Sequence, residues 1–93
     1  IEDTLLKHAD VLEAAAIGVP DEVRGLVVKA FIVTDRAGDD GYVAELQTFV
    51  RENLSLHEYP RIVEFTDELP KTPAGKVNRK VLRDREAAAA KEL

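Results

Sequence analysis

The chain has 93 residues, 45% of them apolar and 33% charged, the composition of one small folded domain rather than a disordered segment. With no cysteine it has neither a disulfide framework nor a thiolate metal site, and a reducing, cytoplasmic setting is expected. The net charge of −5 divides unevenly: residues 1–69 carry 6 basic and 15 acidic side chains (net −9), residues 70–93 carry 7 basic and 3 acidic (net +4). An acidic body lacks the footprint for nucleic acid, whereas the basic end could serve one anionic ligand. No apolar run is long enough to cross a membrane, and no signal peptide is legible. The opening "IEDTLLKHAD" lacks a methionine and is already helical in pattern, so the chain reads as a piece of a longer protein.

Leu5, Leu6, Ala9 and Leu12 recur at helical spacing and predict a short amphipathic helix over residues 2–9. "VLEAAAIGVPDE" predicts a strand that runs into a turn at Gly18 and Pro20. "GLVVKAFIVTD" is the clearest strand, with Val27, Val28, Phe31, Ile32 and Val33 between Gly25 and Asp35. "RAGDDG" is a turn cluster, with Asp39 or Asp40 as the N-cap of the next helix. In "YVAELQTFVRENL", Val43, Leu46, Phe49, Val50 and Leu54 are predicted to share one helical face. Pro60 closes the following loop, "RIVEFTDEL" returns to a strand, and "NRKVLRDREAAAAKEL" predicts a final helix with a fraying end. Helix, strand, strand, helix, strand, helix implies an α+β fold: a small mixed β-sheet of about three strands covered by helices.

Most candidate chemistry fails on spacing. "AGK" is not a phosphate-binding P-loop, because Pro70 stands where a glycine is needed and Val77 where a Ser or Thr is needed. "DRAGDDG" is not a calcium loop, because Ala37, Asp40 and Leu46 occupy the positions of a ligand, the glycine and the glutamate. His8 and His57 have no partner at metal-ligand spacing, and Ser55 lacks the glycines of a nucleophile elbow. No metal site is expected. Lys80 and Asp84 form an i,i+4 surface pair, and Arg79 and Arg83 share another helix face, either a phosphate site or a solvated basic surface.

The loop "LPKTPAGKVNR" is different. Gly75 allows close backbone approach, two prolines restrict the loop, and Lys76 stands near a helix start, where anions are also favoured. The residues alone leave two readings open, a cation held forward for a phosphoryl group and a polar loop with an exposed lysine.

"ELPKTPAGKVNRKVLR" resembles the last conserved motif of the acyl-CoA synthetase, adenylation-domain and luciferase superfamily: Pro-Lys-Thr, two variable residues, Gly-Lys, an aliphatic, one variable residue and Arg. Pro70, Lys71, Thr72, Gly75, Lys76, Val77 and Arg79 fit it. "IEDTLLKHADVLEAAAIGVPDEVRGLVVKAFIV" and "LSLHEYPRIVEFTDELPKT" are similar to two further stretches of the family, with Ala9-Asp10 where a Pro often follows the His position. The match runs along essentially the whole chain.

The resemblance implies that residues 1–93 are the small mobile C-terminal lid domain of an enzyme that activates a carboxylic acid. A large N-terminal domain, absent here, would hold ATP, Mg2+ and the carboxylate pocket, with the hinge just before Ile1. The parent would form an acyl-adenylate and then an acyl-CoA, and this piece alone would be inactive. Lys76 takes the position of the adenylation lysine, with Gly75 beside it, and Gly25 that of a glycine lining the coenzyme A pantetheine channel. Arg24 and Lys29 are further candidates for coenzyme A phosphates, without a motif to support them. The wording "SLHEYPR" leans toward a benzoate- or medium-chain-type ligase. The alternatives are the C-terminal subdomain of a nonribosomal peptide synthetase adenylation domain, and a non-catalytic anion-binding or docking module. The family also implies a protein lysine acetyltransferase acting on Lys76 as a partner, while the charge and the short apolar runs point to neither nucleic acid nor a membrane span.

Overall fold

The run Val27-Val28-Lys29-Ala30-Phe31-Ile32-Val33 is apolar at nearly every position, the pattern of a strand covered on both faces. The computed structural model, which describes residues 1–36, 38–54 and 59–91, puts this strand at the centre. The elements are α1 (Glu2–Leu6), β1 (Val11–Asp21), β2 (Gly25–Thr34), α2 (Asp40–Asn53), β3 (Ile62–Phe65) and α3 (Arg79–Lys91). The sheet order is β1-β2-β3, with β1 antiparallel and β3 parallel to β2. The predicted element order and the three-stranded mixed sheet are both present. Ala37, Ser55 and His57 lie outside the described residues.

Alternation along β2 builds two cores. Ala30 and Ile32 face Leu5 of α1 and Tyr42, Leu46 and Val50 of α2, together with Val11 and Ala14 of β1. Val27, Phe31 and Val33 face the other side beside Ala15, Ile17 and Val19 of β1, and Leu69 and, from α3, Leu82 close over them. Val11 would share the face of Ala15 in a regular strand. The register shift between Val11 and Glu13 turns it to the α1–α2 side instead.

Three boundaries differ from the sequence pattern. Helix α1 ends at Leu6 rather than residue 9, because Lys7 and His8 donate to carbonyls three residues back, tightening the chain into β1. Strand β1 continues through Gly18 and Pro20 to Asp21, which an edge strand tolerates. The buried face of α2 is Tyr42, Leu46 and Val50, whereas Leu54 is the C-cap and is 46% exposed. Asp39, one of the two predicted caps, is the N-cap: its Oδ1 accepts from the Tyr42 N–H at 2.8 Å.

The two leucines of α2 separate experimentally. Leu46→Ala opens a cavity in the first core, and we expect it to cost about 2–5 kcal/mol in urea unfolding. Leu54→Ala should stay within about 0.5 kcal/mol of the parent. Equal losses would contradict this assignment of the helix face.

Candidate functional site

The segment from Leu69 to Asn78 leaves the second core and returns to it as a small closed hairpin. Leu69 is buried at one end and Val77 packs against the same cluster at the other. Lys71 and Val77 form an antiparallel bridge; Thr72 N–H donates to the Lys76 carbonyl at 2.7 Å, Gly75 N–H to the Thr72 carbonyl at 2.8 Å, and Asn78 N–H to the Pro70 carbonyl at 2.8 Å. Gly75 has φ +83°, the left-handed region that glycine enters without a Cβ penalty. Asn78 then starts α3, its Oδ1 accepting from the Val81 N–H at 3.3 Å.

The two lysines of the hairpin differ. Lys71 Nζ is paired with Glu13 of β1. The Lys76 side chain is exposed and has no hydrogen bond or ion pair among the described residues. Three backbone bonds and the Lys76 N–H to Thr72 Oγ1 contact at 3.3 Å close the hairpin, and the Lys76 ammonium is left exposed.

The arginine of the motif has a structural partner. Arg79 Nε donates to Glu2 Oε2 at 2.8 Å and its Nη2 to Glu2 Oε1, while the same Oε2 accepts the Ala16 N–H at 2.6 Å. Burial pushes the Glu2 carboxyl up, but the bonds from Arg79 and Ala16 outweigh it and hold the group below its ordinary value. Arg79 is therefore not the free phosphate ligand the sequence left open, whereas Arg83 remains exposed at the rim of a groove lined by Ile1, Glu2, Asp3 and Gly18. Lys80 pairs with Asp84 at 3.2 Å, the exposed i,i+4 pair expected from the sequence.

Lys29 is likewise unavailable to coenzyme A phosphates. Its ammonium lies on the α3 side of the sheet, 3.1 Å from Glu64 Oε1 and 2.5 Å from Glu86 Oε1. Burial pulls it down, but Glu86 and Glu64 outweigh that and raise its pKa. Arg24 is exposed in the β1–β2 turn, where Asp21 Oδ2 accepts from the Val23 and Arg24 N–H groups at 3.1 and 2.9 Å. Gly25 follows with φ +80°, and a Cβ added there would meet no atom within 4 Å. Its left-handed backbone gives glycine a reason at this turn independent of any ligand.

Among the described residues, one group of possible metal donors converges: His8, Asp10 and Glu45, with ligand atoms within 4.8 Å of one another. Arg36 already lies there, donating to Asp10 Oδ2 at 3.2 Å and Glu45 Oε2 at 2.9 Å, and His8 Nε2 is 2.7 Å from the same Glu45 oxygen. The Arg36 guanidinium already bridges the two carboxylates and His8 takes the Glu45 oxygen, so these residues do not fit a magnesium site. No helix of the described residues is long and apolar enough to cross a membrane.

A small α+β domain that presents an unpaired lysine on a glycine-turned hairpin is the class that the geometry defines. Residues 1–76 match the AMP-binding enzyme C-terminal domain family, the match ending on Lys76 itself. The chain is 46% identical over 90 residues to the mitochondrial acyl-coenzyme A synthetase ACSM4 of Rattus norvegicus, covering 92% of this chain and 16% of that protein. It is 47% identical over 98 residues to 4-hydroxybutyrate–CoA ligase 1 of Metallosphaera sedula, covering 99% of this chain and 17% of that protein. The crystal structure of a Brucella canis acyl-CoA synthetase superimposes with a TM-score of 0.91 at 45% identity, over 96% of this chain and 17% of that one. The chain belongs to the AMP-binding enzyme C-terminal domain family, and it spans about a sixth of the length of the ligases it matches.

The Glu2–Arg79 pair makes a pH-dependent contribution. A carboxyl held below its unfolded value of about 4.3 stabilises the fold above that pH, and the contribution is lost as pH falls through the folded value. We expect the urea midpoint of wild type to exceed that of Glu2→Gln fully at about pH 7, with the gap closing below about pH 4. A gap that stays constant across that range would show that the Glu2 charge does not carry it.

Proposed function

We propose that this chain is the mobile C-terminal domain of an ATP-dependent acid–thiol ligase, and that Lys76 is its adenylation lysine. The parent enzyme would join a carboxylate to the α-phosphoryl group of ATP, releasing pyrophosphate, and then pass the acyl group from the adenylate to the thiol of coenzyme A, releasing AMP. The observation that carries the reading is the contrast within one hairpin, where Lys71 is paired and Lys76 is exposed without a partner among the described residues. Membership of the family and the ligase relatives support it.

The chemistry suits a lysine delivered from outside. Attack of a carboxylate on the α-phosphorus gathers anionic charge that a fixed cation stabilises more in the transition state than in the ground state. A unit charge about 4 Å away is worth roughly 4 kcal/mol at an effective dielectric near 20. Gly75 supplies the turn that brings Lys76 forward. The His8, Asp10 and Glu45 group does not fit Mg2+, so we assign ATP, Mg2+ and the carboxylate pocket to a large N-terminal domain that would be this domain's partner.

Exposure of Lys76 also supports its use as a substrate of a protein lysine acetyltransferase, which would remove the charge and stop adenylation. Gly25 we assign to the pantetheine channel of the thioester-forming pose.

In the full-length enzyme, Lys76→Ala should lower carboxylate-dependent pyrophosphate exchange on the order of 10²-fold or more. Thioester formation from a supplied acyl-adenylate should persist. Unchanged pyrophosphate exchange would overturn the assignment of Lys76.

Gly25→Val should do the reverse, blocking thioester formation while sparing pyrophosphate exchange. Its φ of +80° strains any side chain, so the thermal midpoint must be followed in parallel. Loss of both half-reactions together with the midpoint would leave Gly25 a turn residue and remove it from the channel.

A further inference from the structure

The hairpin that carries Lys76 is closed on itself, so its backbone bonds fix its shape but not its orientation on the domain. Orientation comes from its ends. Leu69 and Val77 seat it in the second core, and two carboxylates hold it from outside: Glu13 of β1 pairs with Lys71 at the start, and Glu2 of α1 pairs with Arg79 just past the end. The second contact is the firmer. Arg79 uses one edge of its guanidinium, Nε and Nη2, on both oxygens of Glu2, and the Ala16 N–H adds a third bond to the same carboxylate. A two-point fork fixes direction as well as distance, which a lone lysine contact does not.

Glu2 thus ties three elements at one point: α1, the second residue of the chain; β1, through the Ala16 N–H; and the first residue of α3, three positions beyond Lys76. Nothing in the sequence spacing pairs Glu2 with Arg79, which are 77 positions apart.

We propose that Glu2 is a positioning residue for Lys76, acting through Arg79, with the Glu13–Lys71 pair as a weaker second tether. This rests on the reading of Lys76 as the adenylation lysine and deepens it. A displacement of about 1 Å in a reacting group costs on the order of 10²-fold in rate, so a tether at the root of the hairpin is felt at its tip. Glu2 acts only in the pose in which Lys76 acts, and the thioester half-reaction is indifferent to it.

The test is a double-mutant cycle in the full-length enzyme, with Glu2→Gln, Lys76→Ala and the pair, read in pyrophosphate exchange and in thioester formation from supplied acyl-adenylate. Glu2→Gln keeps an acceptor for the Ala16 N–H while losing the charge. We expect it to lower kcat of adenylation about tenfold or more at little changed KM for ATP, to spare thioester formation, and to have no further effect in the Lys76→Ala background. Arg79→Lys, which keeps the charge but loses the fork, should reproduce this selective loss and serves as the second variant should Glu2→Gln fold poorly. If Lys76→Ala abolishes adenylation while Glu2→Gln and Arg79→Lys do not lower it, the tether is overturned and the functional reading stands. If Glu2→Gln slows both half-reactions alike, or its effect multiplies with that of Lys76→Ala, Glu2 is a stabilising residue only. If Lys76→Ala itself leaves adenylation intact, the functional reading fails first, and the tether with it.

Discussion

The lysine hairpin can be no better placed than the helix it leads into, and α3 rests on the sheet through a narrow stripe. Arg79, Leu82 and Glu86 share its inward face at i, i+3 and i+7. Leu82 is the single buried leucine of that stripe, at 3% exposure. On one side of it Arg79 pairs with Glu2, and on the other Glu86 pairs with Lys29. The two pairs run in opposite senses, the helix giving the cation at its start and the anion in its second half. A helix slipped by one residue, or reversed, would set like charges together or leave Lys29 unmatched. The charges therefore specify register where one leucine could not, a role that buried and half-buried ion pairs serve better than they serve stability.

The same contacts join the acidic body to the basic end. Two pairs take their cation from the end, and the third, Lys29 with Glu86, takes it from the body. Glu13 of β1 and Glu64 of β3 lie on the α3 side of the sheet, with Lys29 beside Glu64 and Phe31. Lys71 and Arg79 come from the basic end to meet Glu13 and Glu2. What the pairing leaves over among the described basic residues after Leu69 is small: Lys76, Arg83 and Arg85 have no hydrogen-bonded partner among the described residues. The anion-binding capacity suggested by a net +4 end thus narrows to a few side chains, and only Lys76 stands on a preformed turn.

Elements were legible in the sequence because each has an apolar period of its own. The double-sided run of β2 and the spacing of Leu46 and Val50 need no knowledge of the rest of the chain. The sequence pattern draws the helix face through Val43 and Leu54 and passes over Tyr42, although the same letters hold the i, i+4, i+8 series Tyr42, Leu46, Val50. Tyr42 is selected over Val43 by tertiary partners, its ring stacked on Phe65 at 5.4 Å and under the Arg36 guanidinium at 4.1 Å. The bulge at Val11 and the burial of Lys29 were invisible for the same reason, since both are settled by what lies across the sheet. Lys76, Gly75 and Gly25 were found through a motif and a resemblance, and the structure adds what neither holds, the partner of Arg79 and the tie on Lys71.

A lysine meant to act on a passing anion must meet two opposed requirements. If it is paired at rest, the resting pair must be broken each time it acts, and the cost is subtracted from what it gives in the transition state. If it is free but on a loose loop, ordering the loop takes a comparable toll, of order 1–2 kcal/mol for each backbone residue fixed. On the role proposed for Lys76, the hairpin of residues 70–78 meets both, by tying its backbone and its ends and leaving that one ammonium exposed. Thr72, Gly75 and Asn78 close the backbone, Lys71 and Arg79 hold the ends, and two prolines leave little freedom between. The ammonium of Lys76 stays exposed, without a hydrogen-bonded partner among the described residues, so on the proposed role no resting pair has to be broken. On that same proposed role, the division accounts for the opposite environments of two lysines five residues apart in one motif, Lys71 paired with Glu13 and Lys76 exposed.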